Sequence, residues 1–204
     1  MTEEFTGITN EVWLIDIDNV LADFEGGFIK EWVRRHPEIP FVPLEERVHF
    51  YIRDDYSEEL RPLVEEIHHY TKGFYANLPV VDGAIDALYY IKNCGKEIFL
   101  CSKPSSINKF SMIEKYEWVD KNLGPEWSRR IILTRDKTLV LGHILIDDKP
   151  DILHRQVNSK PSWEHIIFDM PYNRPENIQD PLLRDYIATK KRINWKNYKE
   201  VLNI

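Results

Sequence analysis

The chain has 204 residues, 43% hydrophobic and 30% charged, with 34 acidic against 27 basic side chains and a formal charge of −7. That length suits one medium domain, or a core domain with a smaller insert, and it buries a core without disulfide or metal staples. The acidic balance argues against a partner that is a nucleic-acid polymer, which calls for a basic face, but allows a small anionic substrate held by a few local cations. Two cysteines, Cys94 and Cys101, make no disulfide framework, and Cys101 sits in an apolar run as a small buried side chain would. Met1 to Asn10 is polar and acidic rather than a basic-then-apolar leader, and no apolar run reaches membrane-spanning length. The expectation is a soluble, cytoplasmic protein without membrane contact.

In chain order, Glu11–Asp18 (EVWLIDID) predicts a buried strand that ends in two carboxylates. From Phe24 to Leu78 no strand core follows. Helix-like pieces, Gly27–Arg35 and Ser57–Tyr70, are punctuated there by Pro37, Pro40, Pro43 and Pro62. We read 24–78 as a small helical cap inserted after the first strand, and 1–23 with 79–204 as the core. Gly83–Cys94 carries apolar residues at helical spacing, with Gly95 as its C-cap. Glu97–Ser102, Arg130–Thr134, His143–Ile146 and Trp163–Asp169 predict four more strands, Pro171–Asp180 a surface loop, and Asn194–Leu202 a closing helix. Strands alternating with helices predict an α/β fold, a Rossmann-like, doubly wound parallel sheet.

Ligands of such sheets bind beyond the carboxyl ends of the strands. At those ends stand Asp16 and Asp18, then Ser102, then Lys137, then Asp147 and Asp148. Singly, each has a plain structural explanation: a solvated turn, a helix cap, a surface lysine, a loop start fixed by Pro150. Together, and in that order, they make an acidic centre with a hydroxyl and a cation beside it. Clustered carboxylates need a cation between them or a proton on one, and oxygen-only ligands suit Mg²⁺ rather than zinc.

The order strand–DxD, strand–Ser, Lys, strand–DDxxD resembles the haloacid-dehalogenase-like (HAD) hydrolase superfamily. DIDNVLADFEGGF (Asp16 to Phe28), LEERVHFYI (Leu44 to Ile52), EKYEWVDKNLGP (Glu114 to Pro125), LTRDKT (Leu133 to Thr138), LIDDKPD (Leu145 to Asp151) and PSWEHIIF (Pro161 to Phe168) are similar to the 5′(3′)-deoxyribonucleotidase family within it. The resemblance spans most of the chain, and is poor from Ser57 to Gly73. It implies a Mg²⁺-dependent phosphatase whose substrate is a small-molecule deoxyribonucleoside monophosphate. Asp16 would be the nucleophile and Asp18 the general acid and base. Ser102 and Lys137 would hold the phosphate. Mg²⁺ would be bound by Asp16, the Asp18 backbone carbonyl and Asp148, with Asp147 orienting its waters or Lys137. Asp151 would fix the loop through Lys149 and Pro150. Phe24, Phe50 and Tyr51 would meet the base, Ile52 would offer it a backbone contact, and Trp118 would be structural. The competing reading for the three aromatic residues is a small core of the cap itself.

Two departures stand out. Asn19 replaces the glycine usual after the DxD, and Lys103 stands in Ser102-Lys103-Pro104 where Thr-Ser-Pro is usual; Lys103 adds a cation near the phosphate or leaving group. His68, His69 and Tyr70 lack a third ligand at metal spacing and are expected to be partly exposed helix residues. Alternatives are a phosphatase for a sugar phosphate or phosphoserine, or a phospho-accepting receiver-like module, whose acidic residues run in a different order. Monomer or homodimer stays open.

Overall fold

The computed structural model describes residues 10–152 and 160–204. The leader reading at Met1–Asn10 falls almost wholly outside them. Six strands form one parallel sheet: β1 (Val12–Ile15), β2 (Glu97–Ser102), β3 (Ile131–Leu133), β4 (Ile144–Asp147), β5 (Glu164–Phe168) and β6 (Arg192–Ile193). Their order is β3-β2-β1-β4-β5-β6. The first five are those predicted, and β6, two residues long, is too short to leave a pattern. Consecutive apolar residues such as Trp13, Leu14 and Ile15 are all buried, as expected where both faces of the sheet are covered. Leu14, Cys101, Leu145 and Trp163 form a smaller cluster apart from the main core.

The chain runs outward from β1 through β2 to β3, then crosses back to β4 on the other side of β1. Strand order reverses there, and the crevice at the carboxyl ends of β1 and β4 is where such folds place ligands. Ile15 pairs with Ile146, so the residues that follow, Asp16 and Asp147, come side by side.

Helix α1 (Phe24–Arg35) opens the insert after β1, followed by α2 (Arg61–Glu65), and α3 (Ala84–Asn93) returns to the sheet. The Asp23 carboxylate caps α1 by accepting from the Gly26 amide at 2.8 Å. A Cβ on Gly26 would lie 2.1 Å from that carboxylate, and one on Gly27 would lie 2.4 Å from Leu78 Cδ2. The glycine pair of DFEGGF thus serves the cap and the close packing of α1. Arg47 is fully buried and ties the insert together: Nη1 lies 2.5 Å from Glu25 on α1, Nε 2.5 Å from Asp55, and Nη2 donates to the His49 carbonyl at 2.9 Å.

Four expectations need correction. The helix over Ser57–Tyr70 starts only at Arg61, ahead of Pro62, and widens into a π-helical turn over Glu66–Tyr70. That turn buries His68 instead of leaving it partly exposed, while Tyr70 stays 68% exposed. Pro171–Asp180 is not simply a surface loop, because its first short turn presses Tyr172 and Asn173 into the interior. The closing helix, α7, covers only Tyr198–Leu202 and follows α6 (Pro181–Ala188), which the sequence did not reveal. Trp118 is a core residue as expected, on α4 (Ser111–Asn122), and its indole donates to the Leu78 carbonyl at 2.8 Å. The remaining helix, α5 (Pro125–Ser128), follows directly. Among the described residues no helix is long and apolar enough to cross a membrane.

Candidate active site

Asp16, Asp147 and Asp148 are buried, and one carboxylate oxygen from each lies within 4.8 Å of the others. Their remaining contacts sort them. Asp16 Oδ1 accepts from the Ile17 amide at 2.8 Å and lies 2.9 Å from Lys137 Nζ, which leaves Oδ2 uncommitted among the described residues. Both oxygens of Asp147 are engaged, Oδ2 by Lys137 Nζ at 2.5 Å and Oδ1 by the Lys149 amide at 2.9 Å. Asp148 Oδ2 accepts from Asn19 Nδ2 at 3.1 Å and from the Tyr172 hydroxyl, leaving Oδ1 open. Asn173 Nδ2 donates to the Asp148 carbonyl at 2.7 Å. Among the described residues Asp16 and Asp148 therefore each present an oxygen without a partner, whereas Asp147 is spent on holding Lys137. This hard, oxygen-only and over-charged set could hold Mg²⁺.

Electrostatics agree with that demand. Burial pushes Asp147 up to about 6 against the pull of Lys137, and burial with Asp147 and Asp16 as neighbours lifts Asp148 well above the usual carboxylate range. For Lys137, burial works downward, but Asp147 and Asp16 outweigh it and hold the ammonium charged. The turn that delivers Lys137 is set by Asp136, whose Oδ1 accepts from the Thr138 amide at 2.9 Å and the Thr138 hydroxyl at 2.6 Å. This accounts for the DKT of LTRDKT.

Asn19 has φ 58°, the left-handed geometry that glycine supplies elsewhere and that asparagine tolerates. Unlike glycine it also reaches Asp148 and the Tyr172 hydroxyl, the latter at 2.8 Å, while its Oδ1 accepts from the Glu25 amide at 3.1 Å. The turn survives the substitution and gains a support for Asp148.

Lys115 was not singled out by sequence. It is buried on α4, with Nζ 2.5 Å from Asp18 Oδ1 and 3.2 Å from Ser102 Oγ. Burial lifts the Asp18 carboxyl above its ordinary value, with Lys115 pulling the other way and Asp16 adding to the rise. Ser102 meets Lys115 and does not line the open cavity. The signal for Lys115 was its place on the buried stripe of α4, one turn before Trp118 and Val119.

A cavity of about 1080 Å³ opens above this floor. Phe24, Phe50, Tyr51, Ile52 and Lys103 line it together with Asp16, Asp18, Lys137, Asp147 and Asp148. Missed lining residues include Tyr75, His68 and His69. Phe24 stands edge-on to Phe74 at 5.3 Å, and Phe50 edge-on to Tyr172 at 5.8 Å. Lys149 Nζ lies 4.8 Å from the Phe50 ring centre, 3.2 Å from the Tyr51 hydroxyl and 3.3 Å from Asp151. It joins the loop after Asp148 to the wall made by residues 50–52.

A family profile described as 5′ nucleotidase, deoxy (pyrimidine), cytosolic type C matches residues 10–182. The chain belongs to this family. Among its members, the human cytosolic-type 5′(3′)-deoxyribonucleotidase is 40% identical over 195 residues, covering 93% of this chain and 92% of that one. The mouse mitochondrial 5′(3′)-deoxyribonucleotidase is 39% identical over 174 residues, covering 84% and 78%. A Bordetella pertussis protein, whose name assigns it provisionally as a 5′(3′)-deoxyribonucleotidase, is 43% identical and covers 93% and 94%. Solved HAD hydrolases share the fold at 12% identity and a TM-score of 0.55. One, from Deinococcus radiodurans, holds phosphate and sodium and covers 96% of each chain. Another, from Bacillus subtilis, holds magnesium and covers 96% of this chain and 99% of that one. At that identity the likeness shows the α/β HAD fold alone.

Proposed function

We propose that this member of the deoxyribonucleotidase family is a Mg²⁺-dependent phosphatase of deoxyribonucleoside 5′(3′)-monophosphates, working through an aspartyl-phosphate. One observation carries the reading: an Asp16 oxygen uncommitted among the described residues, at the floor of a cavity that the rings of Phe24, Phe50, Tyr51 and Tyr75 line together with charged side chains such as Lys103 and Arg135. In this reading residues 1–23 and 79–204 are the catalytic core and 24–78 the substrate-facing cap.

The Asp16 carboxylate attacks phosphorus in line, the P–O bond to the nucleoside breaks, and Asp18 delivers the proton that the leaving alkoxide needs. Asp18 then takes a proton from the water that attacks phosphorus, which frees Asp16 and inorganic phosphate. Lys137, fixed by Asp147, faces the negative charge that builds on the phosphoryl oxygens. Lys115 bridges the Asp18 carboxylate and the Ser102 hydroxyl, so Ser102 contributes by seating Lys115. Asp16, Asp148 and the Asp18 carbonyl would hold Mg²⁺, which when bound neutralises charge so that a carboxylate can approach a phosphate. Phe24, Phe50 and Tyr51 offer faces or edges to a base, Ile52 offers it a backbone contact, and Lys103 lines the same cavity.

The test is phosphate release from deoxynucleoside and nucleoside monophosphates, phosphoserine and sugar phosphates, with Mg²⁺ and with chelator. Deoxynucleotides should lead, and chelation should stop turnover. Preference for phosphoserine or a sugar phosphate overturns the substrate assignment, and turnover retained in Asp16→Asn overturns the nucleophile.

A further inference from the structure

Among the described residues five lysines and arginines line the cavity, and three of them are already paired. Arg53 meets Glu65, Lys137 lies between Asp16 and Asp147, and Lys149 lies 3.3 Å from Asp151. The other two, Lys103 and Arg135, are exposed and have no carboxylate partner among the described residues. The fold puts them on neighbouring loops. Ser102 pairs with Leu133 across β2 and β3, and the Thr134 amide donates to the Ser102 carbonyl at 3.1 Å. Lys103 and Arg135 follow directly, one on each of the two loops that leave these strand ends.

The phosphate that reacts is already provided for. Lys137 stands beside Asp16, Lys115 stands beside Asp18, and the acidic cluster of Asp16, Asp147 and Asp148 lies at the ends of β1 and β4. In the sheet β2 and β3 lie on the other side of β1 from β4. Lys103 and Arg135 therefore make a separate positive margin, across Asp16 from Asp148. Arg135 belongs to the LTRDKT pattern, whereas Lys103 stands where Thr-Ser-Pro is usual, so the doubled cation is a feature of this chain. There is space to use it: the cavity of about 1080 Å³ exceeds the roughly 300–1,000 Å³ of common small-molecule pockets.

We propose that Lys103 and Arg135 form a second anion subsite, and that this chain prefers deoxynucleotides carrying a second phosphate to monophosphates. The proposal extends the nucleotidase reading and rests on it. The second phosphate stays on the leaving nucleotide. The bond from the reacting phosphorus to its leaving oxygen breaks, Asp18 protonates that oxygen, and water hydrolyses the aspartyl-phosphate. The products are a deoxynucleoside monophosphate and inorganic phosphate. An arginine meets a phosphate through a planar fork and a lysine as a point charge, so the two divide its oxygens between them. On an exposed margin such contacts are screened by salt, which gives the preference an electrostatic signature.

The experiment measures kcat/KM for dUMP, deoxyuridine 3′,5′-bisphosphate, dUDP and deoxyribose 5-phosphate on wild type, Lys103→Ser and Arg135→Gln, with folding checked by circular dichroism. Wild type should favour one of the two doubly phosphorylated substrates over dUMP about tenfold, the scale of a charge-assisted hydrogen bond. The gain should appear mainly as a lower KM and should shrink as KCl is raised. A gain with the bisphosphate places the second phosphate across the sugar, and a gain with dUDP places it on the leaving oxygen. Lys103→Ser installs the residue usual at this position and should bring the ratio towards one, and Arg135→Gln should lower it as well. No preference in wild type, or the same ratio in either variant, overturns the subsite alone. So does an equal loss on dUMP and the preferred substrate, which assigns both cations to the reacting phosphate. Wild type that hydrolyses deoxyribose 5-phosphate and no deoxynucleotide overturns the nucleotide reading, and the subsite with it.

Discussion

Arg47 offers the sharpest test of how the insert is held. It is fully buried between Glu25 and Asp55, at 2.5 Å from each, and its guanidinium lies 5.6 Å from the ring centre of Tyr172. Replacing it with methionine keeps much of the volume and leaves two buried carboxylates without their shared cation, Glu25 with no other partner among the described residues and Asp55 still held by Val48 and His49. Breaking a buried ion pair from one side costs about 3–5 kcal/mol. For a chain of this size about 1 kcal/mol moves Tm by roughly 2–4 °C, so Arg47→Met should melt about 10 °C lower. The triple variant Arg47→Met, Glu25→Gln, Asp55→Asn removes the stranded charges and should recover most of the loss, because the penalty lies in the unpaired charge and not in the missing attraction. Burial already lifts the Glu25 carboxyl above its ordinary value against the pull of Arg47, so without Arg47 it binds its proton more tightly in the folded chain than in the unfolded one. Its penalty therefore grows as pH rises through its folded pKa, and the deficit of the single variant should shrink towards pH 5. The assay is urea and thermal unfolding by circular dichroism. A single variant losing less than about 1 kcal/mol, or a triple variant no more stable than the single, would refute the reasoning.

Other perturbations probe the site. Tyr172→Phe removes the hydroxyl that supports Asp148 and should raise the Mg²⁺ concentration for half-maximal activity about 10–100-fold, with the fold intact; an unchanged Mg²⁺ titration sinks the idea. Asn19→Gly keeps the left-handed backbone but loses the amide on Asp148, and should weaken Mg²⁺ in the same assay with little change in Tm. Lys115→Met should cut kcat by about 10²-fold or more at the cost typical of losing a preorganised charge, and near wild-type kcat would show that Lys115 only packs. His68 and His165 are held neutral by burial, each down to about 3. The unfolded chain takes up their protons first, so their contribution is complete above pH 6.5 and is lost as pH falls from there towards 3. By pH 5 each costs about 2 kcal/mol, which a pH series of urea midpoints for wild type and His165→Phe would read.

The core was legible because apolar runs fix strands, and strand ends fix where Asp16, Lys137, Asp147 and Asp148 emerge. Register does the rest, bringing Asp16 beside Asp147 without any signal in either segment alone. Lys115 showed only as a position on the buried stripe of α4, and Arg47 not at all, because the partners that make a buried cation meaningful lie on other segments. Tyr172 and Asn173 were hidden by the prolines and asparagines around them, which announce a turn but not which way it faces. His68 is buried on the π-helical turn over Glu66–Tyr70, and no residue in that stretch signals such a turn.

The Tyr172 ring has a wider consequence. Its hydroxyl holds Asp148, its face meets Arg47, and its edge meets Phe50. The last of the three acidic centres is therefore assembled by chain that follows β5, even though every proposed catalytic group precedes it. During synthesis, a polypeptide released with all of its carboxylates and lysines but without this tail would carry the complete inventory and lack the scaffold that aims it. A chain cut before Tyr172 is thus expected to keep every proposed catalytic group and lose the hydroxyl that supports Asp148.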